Sequence, residues 1–240
     1  MSERPSPPPP AQRLRITFAK RGALKYIGHL DLAKTWERIL RRAQLALAYS
    51  QGFNARPRLQ LAAPLPLGFT SECELIDIWL EHPEPLDGLA ARLMSVSPPD
   101  LPILHIAEVP LRSPALQTLV ESALFRLVPR TDAEPEQVAG LAERVAALLA
   151  EAHLMRTRRE KAYDLKPLIR ALYIGEDGAL YADLFSTPSG TGRPDELLAA
   201  LGYNTLDFDV QRVALRLAAA PTGSADVPED ALSPDPDAQA

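Results

Sequence analysis

The sequence is short of the residues that most often announce chemistry. It holds one cysteine, Cys73, among 240 residues. A lone thiol closes no intramolecular disulfide, which suits a reducing cytoplasm. It also cannot hold an iron–sulfur cluster, which draws on about four cysteine ligands. The four histidines, His29, His82, His105 and His153, are scattered, and none forms a short-spaced pair of the kind metal sites use. No window approaches the ~18 unbroken apolar residues of a membrane span. The opening "MSERPSPPPPAQ" lacks the apolar stretch of a secretory signal. "PSGTGRPDE" (188–196) lacks the Lys-Ser/Thr of a phosphate-cradling loop and reads as a loop and helix cap. No serine, cysteine or second acid stands where it would complete a hydrolytic site. These absences predict a cytoplasmic protein with no metal, no resident cofactor and no membrane segment.

What is present is an uneven charge. The formal net charge is −5. Between Gln12 and Gln60, however, eleven basic residues (Arg13, Arg15, Lys20, Arg21, Lys25, Lys34, Arg38, Arg41, Arg42, Arg56 and Arg58) face only Asp31 and Glu37, a local net of +9. Such a module attracts polyanions if its charges share a face. It is merely solvated, or covered by an acidic segment, if they do not. The last twenty residues, Pro221 to Ala240, hold five acids and no Lys or Arg, a composition that cannot offset its ordering entropy. Residues 1–12, with Pro5 and Pro7 to Pro10, read as an extended polyproline tail.

The periodicities predict an α+β fold. "LRITFAKRG" alternates as a strand. A helix follows over about Asp31–Gln44, with Leu32, Trp36, Ile39, Leu40 and Ala43 on one side. "LALAYS", "RLQLAAPLPLGFTSE" and "CELIDIWLE" read as strands, Pro85–Met94 as a short helix and "LPILHIAEVP" as a closing strand. The order is βαββαβ. It recurs: "ALFRLVPR" as strand, Pro135–Ala152 as one amphipathic helix, a strand-rich stretch from Leu154 to Thr187 turning at Gly175–Gly178, "RPDELLAALG" as helix with Gly202 just past its end, and "FDVQRVALRLA" as strand. The expectation is two tandem ferredoxin-like units, over 13–112 and 120–219, with the seam near "LRSPALQTLVES" and disordered tails at 1–12 and 220–240.

The candidate site residues lie in the first unit. His29, in a loop before a helix, has the pKa range of a general acid or base. Asp31 would orient it or cap the helix. Arg38, Arg41 and Arg42 share a helix surface and can clamp phosphates, or Arg41 pairs with Glu37. In "SQGFNARPR", Gln51, Phe53, Asn54, Arg56 and Arg58 combine aromatic, amide and guanidinium groups, which suits single-stranded RNA or a rigid turn. Lys20 and Lys25 extend the basic set. A second basic run, Arg156, Arg158, Arg159, Lys161, Lys166 and Arg170, would continue the surface or guard a strand edge.

Several motifs together resemble the radical SAM-linked family: Lys20-x-Gly22, "HLDL", "RILRRA", "YSQGFN-x-x-P", "PLPLG", Ser71-Glu-x-Glu74 and, more weakly, "YDLKPLI" (163–169). That domain family is uncharacterised. It occurs alone or fused to cobalamin-binding-type radical SAM proteins, often encoded near ribonuclease and ribosomal-protein genes. The resemblance implies a partner radical SAM enzyme and an RNA- or ribosome-related substrate. Ala55 and Arg56 stand where the family usually carries Pro-His or similar, so a role for a histidine there is lost. With one cysteine this chain cannot hold the three-cysteine cluster of radical SAM chemistry. The expected function is that of a non-catalytic accessory protein presenting RNA, with a purely protein–protein interaction module as one alternative. A second alternative comes from analogy with metal-independent CRISPR RNA-processing endonucleases. There His29 would deprotonate a ribose 2′-hydroxyl, with Arg41 or Lys25 stabilising the phosphorane charge; the glycine-rich loop of those enzymes is missing.

Overall fold

A computed structural model describes residues 8–51, 55–158, 160–187 and 190–218. Most of both predicted tails, together with Gly52, Phe53, Asn54, Arg159, Pro188 and Ser189, lies outside the described residues. The elements of the first half are β1 (Gln12–Lys20), α1 (His29–Arg42), β2 (Leu59–Leu61), β3 (Thr70–Leu80), α2 (Leu89–Met94) and β4 (Ile103–Glu108). After them come α3 (Leu116–Leu119), β5 (Val120–Pro129), α4 (Pro135–Val138), α5 (Leu141–Ala150), β6 (Met155–Arg158), β7 (Lys161–Asp164), β8 (Ile169–Ile174), β9 (Leu180–Thr187), β10 (Gly190–Thr191), α6 (Pro194–Ala200) and β11 (Phe208–Leu217).

One large sheet carries both halves, in the order β10-β9-β5-β11-β3-β1-β4, with β2 on β3 and β8 on β9. The first half therefore reads β4-β1-β3-β2 and the second β11-β5-β9-β8. The fold is mixed α/β and the sheet mostly antiparallel. The exception is the junction, where β11 meets β3 in parallel through Gln211 and Arg212 against Thr70 and Ser71.

Alternation in β1 sends Leu14, Ile16 and Phe18 to one face, where α1 lays Leu32, Trp36, Ile39 and Leu40 on them. Phe18 and Trp36 meet edge to face, with centroids 4.9 Å apart, an arrangement aromatic quadrupoles favour. A second core packs Phe125, Leu127, Leu180, Val210 and their neighbours with the apolar faces of α5 and α6.

Several expected elements differ. Gln12, assigned to the tail, opens β1 and holds Glu108 and the Glu84 carbonyl through its amide. The first helix begins at His29, after the extended Gly28, and stops at Arg42. Gln44 takes a left-handed φ of 57°, which an α-helix cannot continue. "LALAYS" is not a strand: it makes only isolated bridges, Leu47 to Leu80 and Tyr49 to Pro57, and proline brings no N–H to a ladder. The helix expected from Pro85 begins at Leu89, behind a left-handed Gly88. The single helix expected over Pro135–Ala152 is two, α4 and α5, split by Gly140 at φ 71°. β6 and β7 form a separate hairpin and do not join the sheet.

"YDLKPLI" does structural work beside that hairpin. The Asp164 carboxylate accepts from the His153 ring at 2.8 Å and from the backbone N–H of Leu154 and Lys166. These bonds hold it down at a pKa of about 2. Lys166 donates to the Leu148 and Leu149 carbonyls at the end of α5, where free carbonyls and the helix dipole both favour a cation.

Candidate functional site

Motifs far apart in sequence meet at the junction of the two halves. Lys20 ends β1, past a register shift that follows Phe18, and is only 1% exposed. Its ammonium donates to the Ile27 carbonyl at 3.1 Å. Gly22, at φ 49°, lets the chain turn against Asp100, and a Cβ there would lie 2.3 Å from the Asp100 carboxylate. That carboxylate accepts from Ala23 N–H, while the Asp100 carbonyl accepts from Arg21 N–H. The spacing in Lys20-x-Gly22 thus buries the lysine and reverses the chain in three residues. The turn leads through Gly28 into His29, the first residue of α1.

β3 supplies the acids. Glu72 pairs with the exposed Arg21. Glu74 points inward and is 2% exposed. Its partner is Arg212 of β11, with Nη1 2.8 Å from the Glu74 Oε1. The other Arg212 terminal nitrogen donates to the Pro64 carbonyl at 2.7 Å, and its Nε is buried without a partner among the described residues. Pro64 opens the "PLPLG" turn, and Gly68 closes it with an N–H bond to the Lys25 carbonyl at 2.8 Å. Two of the motifs, Ser71-Glu-x-Glu74 and "PLPLG", therefore bond one buried arginine from the last strand, and Lys20 and His29 of two others lie within reach of its charge.

The electrostatics follow from the burial. Desolvation pulls the Lys20 ammonium below its ordinary value; Glu74 opposes that pull and Arg212 adds to it. His29 is half-buried, and desolvation lowers its pKa from the ordinary 6.5, with Glu74 opposing and Arg212 and Lys20 adding. Burial pushes the Cys73 thiol up to about 11, which keeps the nucleophilic thiolate scarce at neutral pH. For His29 the unfolded chain binds the proton more readily than the folded one, so stability is full above about pH 6.5 and falls as the pH drops toward the lowered folded value. Thermal unfolding between pH 7 and 5 should show this loss, and His29→Asn should shrink it. An unchanged pH profile in His29→Asn would remove His29 from the cluster.

The other expected site residues are not brought to one place. Asp31 neither caps α1 nor meets His29; it pairs with Lys34 at 3.2 Å. Arg41 pairs with Glu37 at 2.7 Å. Arg38 and Arg42 are exposed on α1 and form no ion pair among the described residues. Lys25 lies 5.3 Å from the Tyr26 ring centroid. Gln51 and Arg56 are exposed, with the Arg56 backbone bonded to Ser50. Phe53 and Asn54 lie outside the described residues. Arg58 is exposed but lies over Trp79, 5.0 Å from its centroid. Trp79 stands opposite Arg13 in the β1–β3 register, on the sheet face away from α1.

The local charge of +9 is likewise not one surface. Arg13 and Arg15 both bind the buried Asp77, at 2.6 and 2.8 Å. Of the second run, Arg156 pairs with Glu196 and Arg170 with Asp183. Sequence reasoning named Glu74 only within a motif and missed Asp77 and Arg212. Their signal was available: in "CELIDIWL" two acids stand within an otherwise apolar strand, and a buried acid needs a cation.

A search of curated proteins returns no match to the chain. Residues 13–194 match the family model described as "Uncharacterized protein conserved in bacteria (DUF2344)", a span that takes in Lys20, Gly22, His29, Pro64, Gly68 and Glu74. With most of its length inside that match, the chain belongs to this bacterial family.

Proposed function

We propose that the protein is a non-catalytic accessory protein that binds RNA, or a ribosome-related substrate, for a partner radical SAM enzyme in the cytoplasm. The two halves are read as tandem ferredoxin-like units, each with its first and third strands adjacent in the centre, in the spatial order 4-1-3-2. The radical SAM partner is an expectation from the motif resemblance. RNA binding is carried by one observation: Arg38 and Arg42 stand one turn apart on the exposed surface of α1 with no acidic partner among the described residues. Guanidinium groups in that state suit phosphate oxygens. Lys34 and Arg41 nearby are already paired, which narrows the expected contacts to few.

The test is retention of total cellular RNA in EDTA at two salt concentrations. Retention should fade at high salt, and the double variant Arg38→Glu/Arg42→Glu should lower the slope of log K against log salt by about 1–2. Retention unaffected by that variant would overturn the assignment to α1. No retention at any salt would favour a protein–protein module.

His29 supports a second reading, metal-independent RNA cleavage. Burial lowers its pKa, which favours the neutral ring a base requires, and Lys20 and Arg212 add to that lowering. Fragment length in the same incubation separates the two: cutting that His29→Ala abolishes would replace the accessory role with the nuclease.

A further inference from the structure

Beside Arg212 the surface opens into a cleft of about 240 Å³ that neither α1 nor His29 lines. Its walls come from both halves: the Pro64 turn from the first, and β5, β9 and the segment leading into α6 from the second. Three arginines from three different elements line it, Arg158, Arg193 and Arg212, with Ser186 as a hydroxyl and Phe125 and Leu184 as apolar surface. Among the described residues no acid lines it.

The three arginines are in different states. Arg193 is held by Asp195 at 2.8 Å. Arg158 is exposed and has no ion-pair partner among the described residues. Arg212 is 3% exposed, and its Nε has no acceptor among the described residues. Behind the wall, Lys20 and Arg212 both depend on the single carboxylate of Glu74. Two cations thus share one carboxylate beside the inner end of the cleft, an imbalance that favours an anion there.

We propose that this cleft binds a phosphate monoester carrying one small organic group, of nucleoside-monophosphate size. Guanidinium forks suit carboxylates and phosphates alike. Arg158 offers a whole guanidinium group and Arg193 its Nη1, beside the Ser186 and Thr191 hydroxyls, while Arg212, whose terminal nitrogens are taken by Glu74 and the Pro64 carbonyl, contributes charge. Donors from four side chains suit the three oxygens of a phosphate monoester better than the two of a carboxylate. Phe125 and Leu184 give the organic group an apolar seat. At 240 Å³ the cleft falls below the ~300–1,000 Å³ of drug-sized sites, which restricts it to a single unit. The monoester is either free in solution or the phosphorylated end of an RNA.

The full-length chain is titrated calorimetrically with nucleoside monophosphates, the matching nucleosides and inorganic phosphate. Monophosphates should bind, and nucleosides and phosphate should bind at least about tenfold more weakly, because each lacks half of the recognition. Arg158→Gln, an exposed substitution, should weaken monophosphate binding about tenfold through the loss of one charge-assisted contact. Arg38→Glu/Arg42→Glu should leave it unchanged, so this proposal and RNA retention by α1 can fail separately. Matched oligonucleotides then distinguish the sources. Preference for a 5′-phosphate over a 5′-hydroxyl end, lost in Arg158→Gln, assigns the cleft to an RNA end; monophosphate binding without that preference assigns it to the free monoester. Absence of monophosphate binding at millimolar concentration, or binding indifferent to Arg158→Gln, would overturn the proposal.

Discussion

Asp77→Ala is expected to destabilise the protein by ~3–5 kcal/mol, the cost of leaving a buried charge without its partner. Asp77 is fully buried, and its two oxygens take four hydrogen bonds from two arginines: from Arg13 Nε and Nη2 at 3.0 and 2.6 Å, and from Arg15 Nε and Nη2 at 2.8 and 2.9 Å. Arg15 retains some access to water, so it can resolvate. Arg13 cannot. It is 1% exposed, its plane lies 4.5 Å from the Trp79 centroid, and its remaining donors hold the Ser113 and Pro114 carbonyls. Those two carbonyls belong to the segment joining the halves. Urea unfolding measures the cost. The double variant Arg13→Met/Asp77→Leu should be less damaging than Asp77→Ala alone, because it removes the charge together with its partner. A loss below about 1 kcal/mol in Asp77→Ala, the scale of an exposed pair, would show that Arg13 reaches water.

This network also explains what composition could not reveal. A count of basic residues registers charges and not their partners. Arg13 and Lys20 belong to the most basic stretch of the chain, yet both are inside, because β3 brings Asp77 and Glu74 to them from more than fifty residues away. The +9 of the N-terminal region was read correctly from the sequence, whereas its grouping into one face was not legible. What remains exposed on α1 without an ion pair among the described residues is Arg38 and Arg42.

Elements set by local chemistry were easier to read. The stripe Leu32, Trp36, Ile39 and Leu40 follows helical spacing, and all four are buried. Pro194 at the start of α6 and Gly202 at φ 79° just past its end both mark that helix. Errors arose where one residue's backbone angle decided the outcome. Gly140 sits inside an apolar helical pattern, so periodicity carried the helix through it, while its left-handed φ separates α4 from α5. Gln44 carries no such warning in its residue type, yet its φ is also positive. The β6–β7 hairpin shows a different limit. Strand character was visible there, but which edge a strand joins depends on tertiary placement and not on its own alternation.

Glu74→Gln tests the junction, and its expected cost is again ~3–5 kcal/mol. The substitution keeps the size and one acceptor, so packing changes little and the lost term is charge. Arg212 and Lys20 would then remain in the interior, 3% and 1% exposed, with no carboxylate between them. The position matters as much as the burial. Among the described residues the β11–β3 ladder runs through Gln211 and Arg212 against Thr70 and Ser71 alone, so side-chain bonds add to it: the Glu74–Arg212 bridge, the Arg212 bond to the Pro64 carbonyl and the Gln211 bond to Glu72. Glu74→Gln should therefore do more than lower the midpoint of unfolding. The two cores, one under α1 and one under α5 and α6, should begin to unfold separately, giving a lower apparent m-value and faster proteolysis in the segment around Ser113. Removing the excess cation tests the cause: Lys20→Met/Glu74→Gln should recover part of the loss, since one buried positive charge is gone. A single variant as stable and as cooperative as the parent would mean that the junction is held by apolar contact, with Glu74 dispensable to it.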